Sequence, residues 1–246
     1  MNDAPALKQA EVGIAVANAT DVAKAAASLV LTNPGLTDIL AAVKTSRRIY
    51  QRMLTYTLNK IIKTVEIALL LSLGVMLTRS FVITPLLIVL LLFTNDFVTM
   101  SIATDSVSYS PQPDRWHIRW LVMVGLALGS LILLFSFGIF LAARYWLQLP
   151  LPQLQTLVFI TLVFSGQGTV YLVRQRQHFW MSRPGKWLVL SSAADIVAVS
   201  ILASRGILMT AIPAQVLFGV LIACGCYLAA VDCLKTGLLR KLPQGL

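Results

Sequence analysis

The sequence contains little charge and almost no cysteine. Charged residues make up 12% of the 246 residues, and twenty basic residues outnumber ten acidic ones. With 57% hydrophobic residues, this composition excludes an ordinary soluble domain. The three cysteines lie in the last apolar run and lack the spacing of a disulfide framework or a zinc site. The net charge of +10 does not indicate a nucleic-acid partner, because no polar domain is available to gather the basic residues.

Long hydrophobic segments are the strongest signal of the fold class. The first belongs to a helix expected over about 36–77, which is basic and amphipathic in its first half and apolar in its second. Each run approaches the roughly 20 residues that cross a bilayer, although the fifth is short. The sequence therefore predicts an all-α polytopic membrane protein with about six transmembrane helices, located in a plasma or inner membrane. The five later runs lie at about 86–103, 121–143, 154–173, 188–203 and 213–231.

Basic residues gather in alternate connections between these runs, which predicts the orientation of the chain. Cytoplasmic connections carry an excess of lysine and arginine. In a six-span arrangement the basic connections share one side with the N-terminal segment, whereas the other side has only Arg79, Arg144 and Arg205. We therefore expect both termini to be cytoplasmic. The basic residues expected on the cytoplasmic side are Arg115, Arg119, Arg174, Arg176, Arg183, Lys186, Lys235, Arg240 and Lys241.

The first part of the chain is more polar and predicts a small α/β segment. A β-prone run lies at 12–16, Thr20 is placed to cap a helix over 21–28, and a second short strand follows that helix. A segment of this size cannot bury a core of its own. We therefore assign residues 1–44 to a piece of a larger cytoplasmic domain and residues 45–246 to the membrane domain.

Two short motifs suggest the origin of this arrangement. The chain begins with MNDAPALK, and EVGIAV follows at 11–16. Followed by membrane spans, these motifs resemble the C-terminal part of P-type cation-transporting ATPases, in which Gly-Asp-Gly and one further residue precede NDAPAL. The likeness is strongest over 1–120 and is nearest to the plasma-membrane proton pumps (type III). It implies that 1–44 is a remnant of a haloacid-dehalogenase-like phosphorylation domain, and that 45–246 corresponds to the family's fifth to tenth spans.

The resemblance gives Asn2 and Asp3 a role at a phosphorylation site. The matching family positions support the phosphoryl group and Mg²⁺, so Asp3 is a vestigial magnesium ligand by resemblance. The family's direct Mg²⁺-binding aspartate would precede Met1, and the alternative is that Asn2 and Asp3 form only a frayed terminus. The parent family uses Mg²⁺ and ATP, and we expect neither to bind tightly to this chain.

Asn95 and Asp96 lie within the second predicted span. A carboxylate is costly among lipid tails and by default indicates an ion pathway. The resemblance implies that Asp96 corresponds to the proton-carrying aspartate of the proton pumps. The alternative is that Asp96 only hydrogen-bonds a neighbouring helix. Few other cation ligands occur nearby apart from Glu66, which favours a proton or one monovalent ion as the cargo.

Glu66 departs from the proton-pump pattern. The aligned position in plant and fungal members carries an arginine, which the family resemblance implies is an internal counter-charge. Glu66 and Asp96 therefore form a two-carboxylate cation site, or share a proton, or Glu66 is an interfacial residue bonded to Lys63 or Lys60. We also expect Lys60 and Lys63 to extend toward the membrane interface. Because the sign of the charge is inverted, the sequence leaves the ion undetermined.

Asp195 is a further ionisable residue, in the fifth predicted span. One interpretation is a secondary intramembrane site. The alternative, which the residue types favour, is that Asp195 only forms a hydrogen bond between two helices.

The motifs that ATP hydrolysis requires are absent from the sequence. The family carries an Asp-Lys-Thr-Gly-Thr loop with the phosphorylated aspartate, a Thr-Gly-Glu loop and a nucleotide-binding lysine region, and none occurs here. Phosphoryl transfer depends mostly on positioning and electrostatics. We therefore expect this chain alone not to hydrolyse ATP, and whether it belongs to an enzyme stays open.

Three functional hypotheses follow. The first is the membrane portion of an ATP-driven cation pump, with H⁺ as the expected cargo and a separately encoded N-terminal half as the partner. The second is a non-catalytic membrane partner or relic descended from a pump. The third is an ATP-independent cation pathway through Glu66 and Asp96. Heavy-metal pumping is excluded because the Asp96 segment lacks the thiolates that soft metals need.

Overall fold

The chain folds into two compact units. The computed structural model describes residues 3–33, 37–109, 116–175 and 177–239. The N-terminal unit extends to Ile49 and includes Tyr109, and the helical unit contains most of the described chain from Tyr50 onwards.

In addition to the start of a long helix, the described residues of the N-terminal unit form two short helices and two short strands. These are α1 (Ala4–Gln9), β1 (Ile14–Ala15), α2 (Asp21–Ala26) and β2 (Leu29–Val30), and the two strands pair in parallel. The Thr20 side chain caps α2, as expected of a threonine that precedes a helix. The predicted strand–helix–strand order is therefore confirmed, with a shorter helix than the sequence indicated.

A close approach fixes α1 beside β1. A Cβ at Gly13 would lie 2.2 Å from the backbone oxygen of Leu7, so this position requires glycine. Ala15 and Leu31 are buried, and most of the unit's other side chains are exposed or half-buried. The unit thus has very little core, in agreement with the expectation that so short a segment cannot bury one.

Six long helices dominate the rest of the described chain. Each is long and apolar enough to cross a membrane, so the protein is an all-α polytopic membrane protein, as predicted. The first of them has 42 residues, or about 63 Å at 1.5 Å per residue, which is longer than a bilayer is thick. The six helices are α3 (Thr37–Thr78), α4 (Pro85–Ser101), α5 (Ile118–Tyr145), α6 (Leu151–Val173), α7 (Lys186–Arg205) and α8 (Ala214–Leu239).

Local chemistry explains several helix ends. The Thr84 hydroxyl accepts a hydrogen bond from the Leu87 amide, and Pro85 occupies the first turn of α4. Helix α7 stops at Gly206, whose φ of 70° lies in the left-handed region that glycine tolerates best. The fifth predicted span covered only 188–203, whereas α7 begins at Lys186 and ends at Arg205.

Helix α6 is the centre of the helical unit. Within its span, 83% of the residues are buried, against at most 39% in any other span. It packs against α4, α5, α7 and α8. Polar groups that point at α6 are therefore shielded from lipid. The buried polar residues within α6 are Thr156, Thr161, Ser165, Gln167 and Thr169.

Candidate ion-binding site

Helices α3 and α4 bring a lysine and a carboxylate together on the outside of the helical unit. Lys60 Nζ lies 3.0 Å from Asp96 Oδ1, and the two side chains are 40% and 63% exposed. The sequence alternative in which Asp96 bonds a neighbouring helix therefore describes this contact, which is an ion pair. The pair places two charges beside the exposed side chains of α4, which are apolar apart from Asp96.

The side chains around Asp96 form an exposed aromatic face on α4. Phe93, Phe97 and Met100 are exposed and lie three or four residues apart, on the same side of the helix as Asp96. Phe93 and Phe97 contact each other, with their ring centroids 5.3 Å apart. We call this surface, made of Phe93, Asp96, Phe97 and Met100, the Asp96 face.

Glu66, unlike the exposed Asp96, lies in the interior of the helical unit. Its side chain is fully buried between α3, α5 and α6. It accepts hydrogen bonds from Lys63 Nζ at 3.0 Å, from the Ser136 hydroxyl at 2.6 Å and from the Ser165 hydroxyl at 2.7 Å. The buried carboxyl group therefore has one charged and two neutral hydrogen-bond donors in place of the water that it lost.

Lys63 is also buried, which corrects the expectation that it extends to the interface. Its side chain is 7% exposed, and its ammonium group additionally donates to the Leu162 backbone oxygen at 2.6 Å and to the Ser165 hydroxyl at 3.2 Å. The reason is electrostatic: a buried carboxylate one turn away and a carbonyl of α6 replace the water that the ammonium gives up.

Gly166 makes room for this ammonium group. A Cβ at Gly166 would lie 2.5 Å from Lys63 Cε, 2.6 Å from Lys63 Nζ and 3.0 Å from Asn95 Oδ1. Asn95 and Lys63 therefore approach the same point on α6. Asn95 is thus near the buried Lys63 on the α6 side of α4, whereas Asp96, the next residue, is exposed.

The hypothesis of a two-carboxylate site is replaced by two separate pairs. Glu66 bonds Lys63, as one of the sequence alternatives proposed, but in the buried core rather than at the interface. Asp96 bonds Lys60. The structure therefore gives each of these two carboxylates its own lysine.

Replacing Gly166 with alanine is expected to destabilise the helical unit by about 1–3 kcal/mol, because the added methyl group would overlap Lys63. The measurement is unfolding of the purified chain in mixed micelles by SDS, followed by circular dichroism. Gly138→Ala in α5 is the matched control, since a Cβ there meets nothing within 4 Å. Equal stability of the two variants would contradict the packing of Lys63 against Gly166.

Asp195 of α7 bonds a second helix. It accepts a hydrogen bond from the side-chain amide of Gln167 on α6. The structure thus contains the interhelical hydrogen bond that the sequence favoured for this residue. It does not bring Asp195 to Glu66 or Asp96.

Two polar clusters at helix ends were not recognised as clusters in the sequence. Arg174, which we counted only as a topological signal, is buried and bonds Asp105 at 2.5 Å. Asp232 is buried between Lys235 Nζ at 2.7 Å and His178 Nδ1 at 2.8 Å. The spacing of three between Asp232 and Lys235 was a visible signal for a helical pair.

The N-terminal candidates contribute little to a described site. Asn2 lies outside the described residues. Asp3 precedes α1, is exposed, and makes no capping hydrogen bond through its side chain. In the part of the chain that the structure describes, no group of three candidate ligands could hold a metal ion.

Fold and site together define a helical membrane protein that carries paired ionisable residues inside its spans. The chain is similar to a protein of Methanocaldococcus jannaschii described as a "putative cation-transporting ATPase", with 39% identity over 213 residues. The match covers 86% of this chain and 26% of that relative, so the chain spans about a quarter of its length. The chain is thus related to part of that protein. No family model matches it.

Proposed function

We propose that this chain is the C-terminal membrane portion of a P-type cation pump and that the pump moves protons. The similarity to a cation-transporting ATPase supports the class. The observation that carries the proposal is the Lys60–Asp96 pair, which joins two helices that are long and apolar enough to span. ATP and Mg²⁺ belong to this proposal as cofactors of the complete pump, which the N-terminal part would bind.

The exposure of the Asp96 face is the reason to expect further membrane spans packed against it. Charged side chains within spans face other protein or water rather than lipid, because lipid tails cannot solvate them. Asp96 is 63% exposed within a helix long and apolar enough to span. We infer that the missing spans of the pump cover this face and complete the pathway, whether they are supplied by a separate chain or by a longer form of this one.

The charge balance favours a proton over a multivalent metal ion. Calcium sites gather six to eight oxygen ligands, with several carboxylates among them. Here Glu66 of α3 and Asp96 of α4 are each already paired with a lysine. Asp96 would bind H⁺ as it separates from Lys60 and release H⁺ as the ion pair re-forms. Asn95 and Glu66 would line the same pathway from the buried side.

The proposed orientation has both termini in the cytoplasm. An even number of spans returns the chain to the side on which it started, and six helices meet the length and composition of a span. The basic residues of alternate connections favour the cytoplasm for that side. This arrangement would place the N-terminal unit where ATP is available.

The decisive test uses vesicles that contain this chain alone or the chain co-expressed with the protein encoded immediately upstream. We expect ATP-dependent acidification of the lumen only in the co-expressed sample. Asp96→Asn is expected to abolish it, because an amide cannot carry the proton. Acidification is followed with a pH-sensitive dye, together with phosphate release.

Asp21→Asn is the matched control, since it makes the same chemical change at an exposed position of α2. It is expected to leave proton uptake unchanged. Full activity of Asp96→Asn in the co-expressed sample would contradict the assigned role of Asp96. Absence of ATP-dependent transport from both samples would favour a non-catalytic relic or partner instead.

A further inference from the structure

Asp195 differs from the other described carboxylates of the helical unit. It forms no salt bridge with any described residue, although it lies in the middle of α7. The other four each lie within 4.0 Å of a lysine or arginine nitrogen: Glu66, Asp96, Asp105 and Asp232. An ionised Asp195 would therefore be an unbalanced charge inside a span, which is costly.

Its partner, Gln167, has one unsatisfied atom. Gln167 is 3% exposed, and its Nε2 donates to Asp195 Oδ2. Its Oε1 is buried and has no hydrogen-bond partner among the described residues. Buried carbonyl groups nearly always find a donor, because they lose water without compensation otherwise. The Gln167 amide thus already donates a hydrogen bond to Asp195 through Nε2, whereas its acceptor atom Oε1 has no donor among the described residues.

We propose that Asp195 is a proton-binding site, in which a neutral carboxylic acid and the Gln167 amide join through two hydrogen bonds. Gln167 Nε2–H donates to Asp195 Oδ2, and the acidic proton on Oδ1 donates to Gln167 Oε1. A carboxylate has only acceptor atoms, so only the protonated acid can supply this second donor. The proton comes from water, and no other bond forms or breaks. Protonation of Asp195 therefore removes its unbalanced charge and also gives the buried Gln167 carbonyl a hydrogen-bond donor.

Among the described residues, hydroxyl groups lie near this pair, and no lysine or arginine forms a salt bridge with Asp195. Ser192, one turn before Asp195, lies 2.5 Å from the Tyr171 hydroxyl, and Tyr171 is one turn after Gln167. Ser191 donates to the Ser101 hydroxyl of α4. These groups can exchange protons but cannot neutralise a carboxylate. The site lies between α6 and α7, separate from the Lys60–Asp96 pair, and it does not depend on the proposed function.

Infrared spectroscopy of the full chain in lipid nanodiscs at pH 7 tests the proposal. We expect the C=O stretching band of a protonated carboxylic acid, which shifts on transfer to D₂O. The band should disappear in Asp195→Asn and persist in Asp96→Asn, the matched control. Asp195→Asn is expected to fold, since two amides can form the same pair of hydrogen bonds. A folded Asp195→Asn variant with an unchanged band would overturn the proposal.

The Gln167→Leu variant tests whether protonated Asp195 is hydrogen-bonded to the Gln167 amide or is protonated without this partner. Removing the amide takes away the N–H donor, so the C=O band is expected to move to higher frequency. An unshifted band would exclude the acid–amide pair. The unsubstituted chain gives an independent measurement, because carbodiimides modify protonated carboxyl groups in membranes. Mass spectrometry should find the modification at half-exposed Asp195 and not at salt-bridged Glu66; the reverse pattern would overturn the proposal.

Discussion

Lys63→Met is expected to destabilise the helical unit by about 3–5 kcal/mol, because it leaves the fully buried Glu66 carboxylate without a cation. The two serine hydroxyls that remain on Glu66 can donate hydrogen bonds but cannot balance its charge. The loss is measured by SDS unfolding of the purified chain, followed by circular dichroism.

The double variant Lys63→Met, Glu66→Gln separates charge from packing. A glutamine at 66 keeps acceptors for Ser136 and Ser165 without the negative charge, so we expect most of the lost stability to return. Lys60→Met is the matched control, one turn earlier on α3. Its partner Asp96 is 63% exposed on the outer surface, so the carboxylate is not left in a closed interior and we expect a smaller loss than for Lys63→Met. Equal losses for Lys60→Met and Lys63→Met would refute the assigned difference in burial.

The difference between these two lysines shows where sequence reasoning stops. Lys60 and Lys63 occur in the same amphipathic segment, and composition alone treats them alike. The hydrophobic runs predicted the ends of the six long helices to within three residues, because membrane spans are defined by length and apolarity. The exception is the end of α8, which lies eight residues beyond the predicted 231. They could not show that α6 is the central helix, nor that the α3 face carrying Lys63 and Glu66 packs against it.

The position of Gly166 illustrates the same limit. The sequence of this span alone does not show why the residue between Ser165 and Gln167 is a glycine. Its role follows only from the partner helix, since the lysine that fills the space is about a hundred residues earlier. Local patterns predict helices well, whereas contacts between distant helices need the assembled fold.

Arg174 presents the same problem at the end of α6. The positive-inside rule explains an arginine at this position without any partner. The structure instead gives its guanidinium five acceptors: Asp105 Oδ2, the Ser182 hydroxyl and the backbone oxygens of Ser106, Ser182 and Arg183. The group thus joins the ends of α4 and α6 to the segment that precedes α7. Asp105 also accepts from the Gly185 amide at 2.6 Å, at the start of α7.

Arg174→Met is therefore expected to cost about 3–5 kcal/mol, since it leaves Asp105 buried without its cation and several carbonyls without donors. Arg174→Lys should recover only part of the loss, because an ammonium cannot reproduce the planar fork of the guanidinium. Arg205→Met is the matched control: it removes an exposed arginine at the end of α7, where a cation contributes at most about 1 kcal/mol. SDS unfolding gives all three values, and complete recovery by lysine would show that charge alone, rather than the directed hydrogen bonds, holds these three helix ends together.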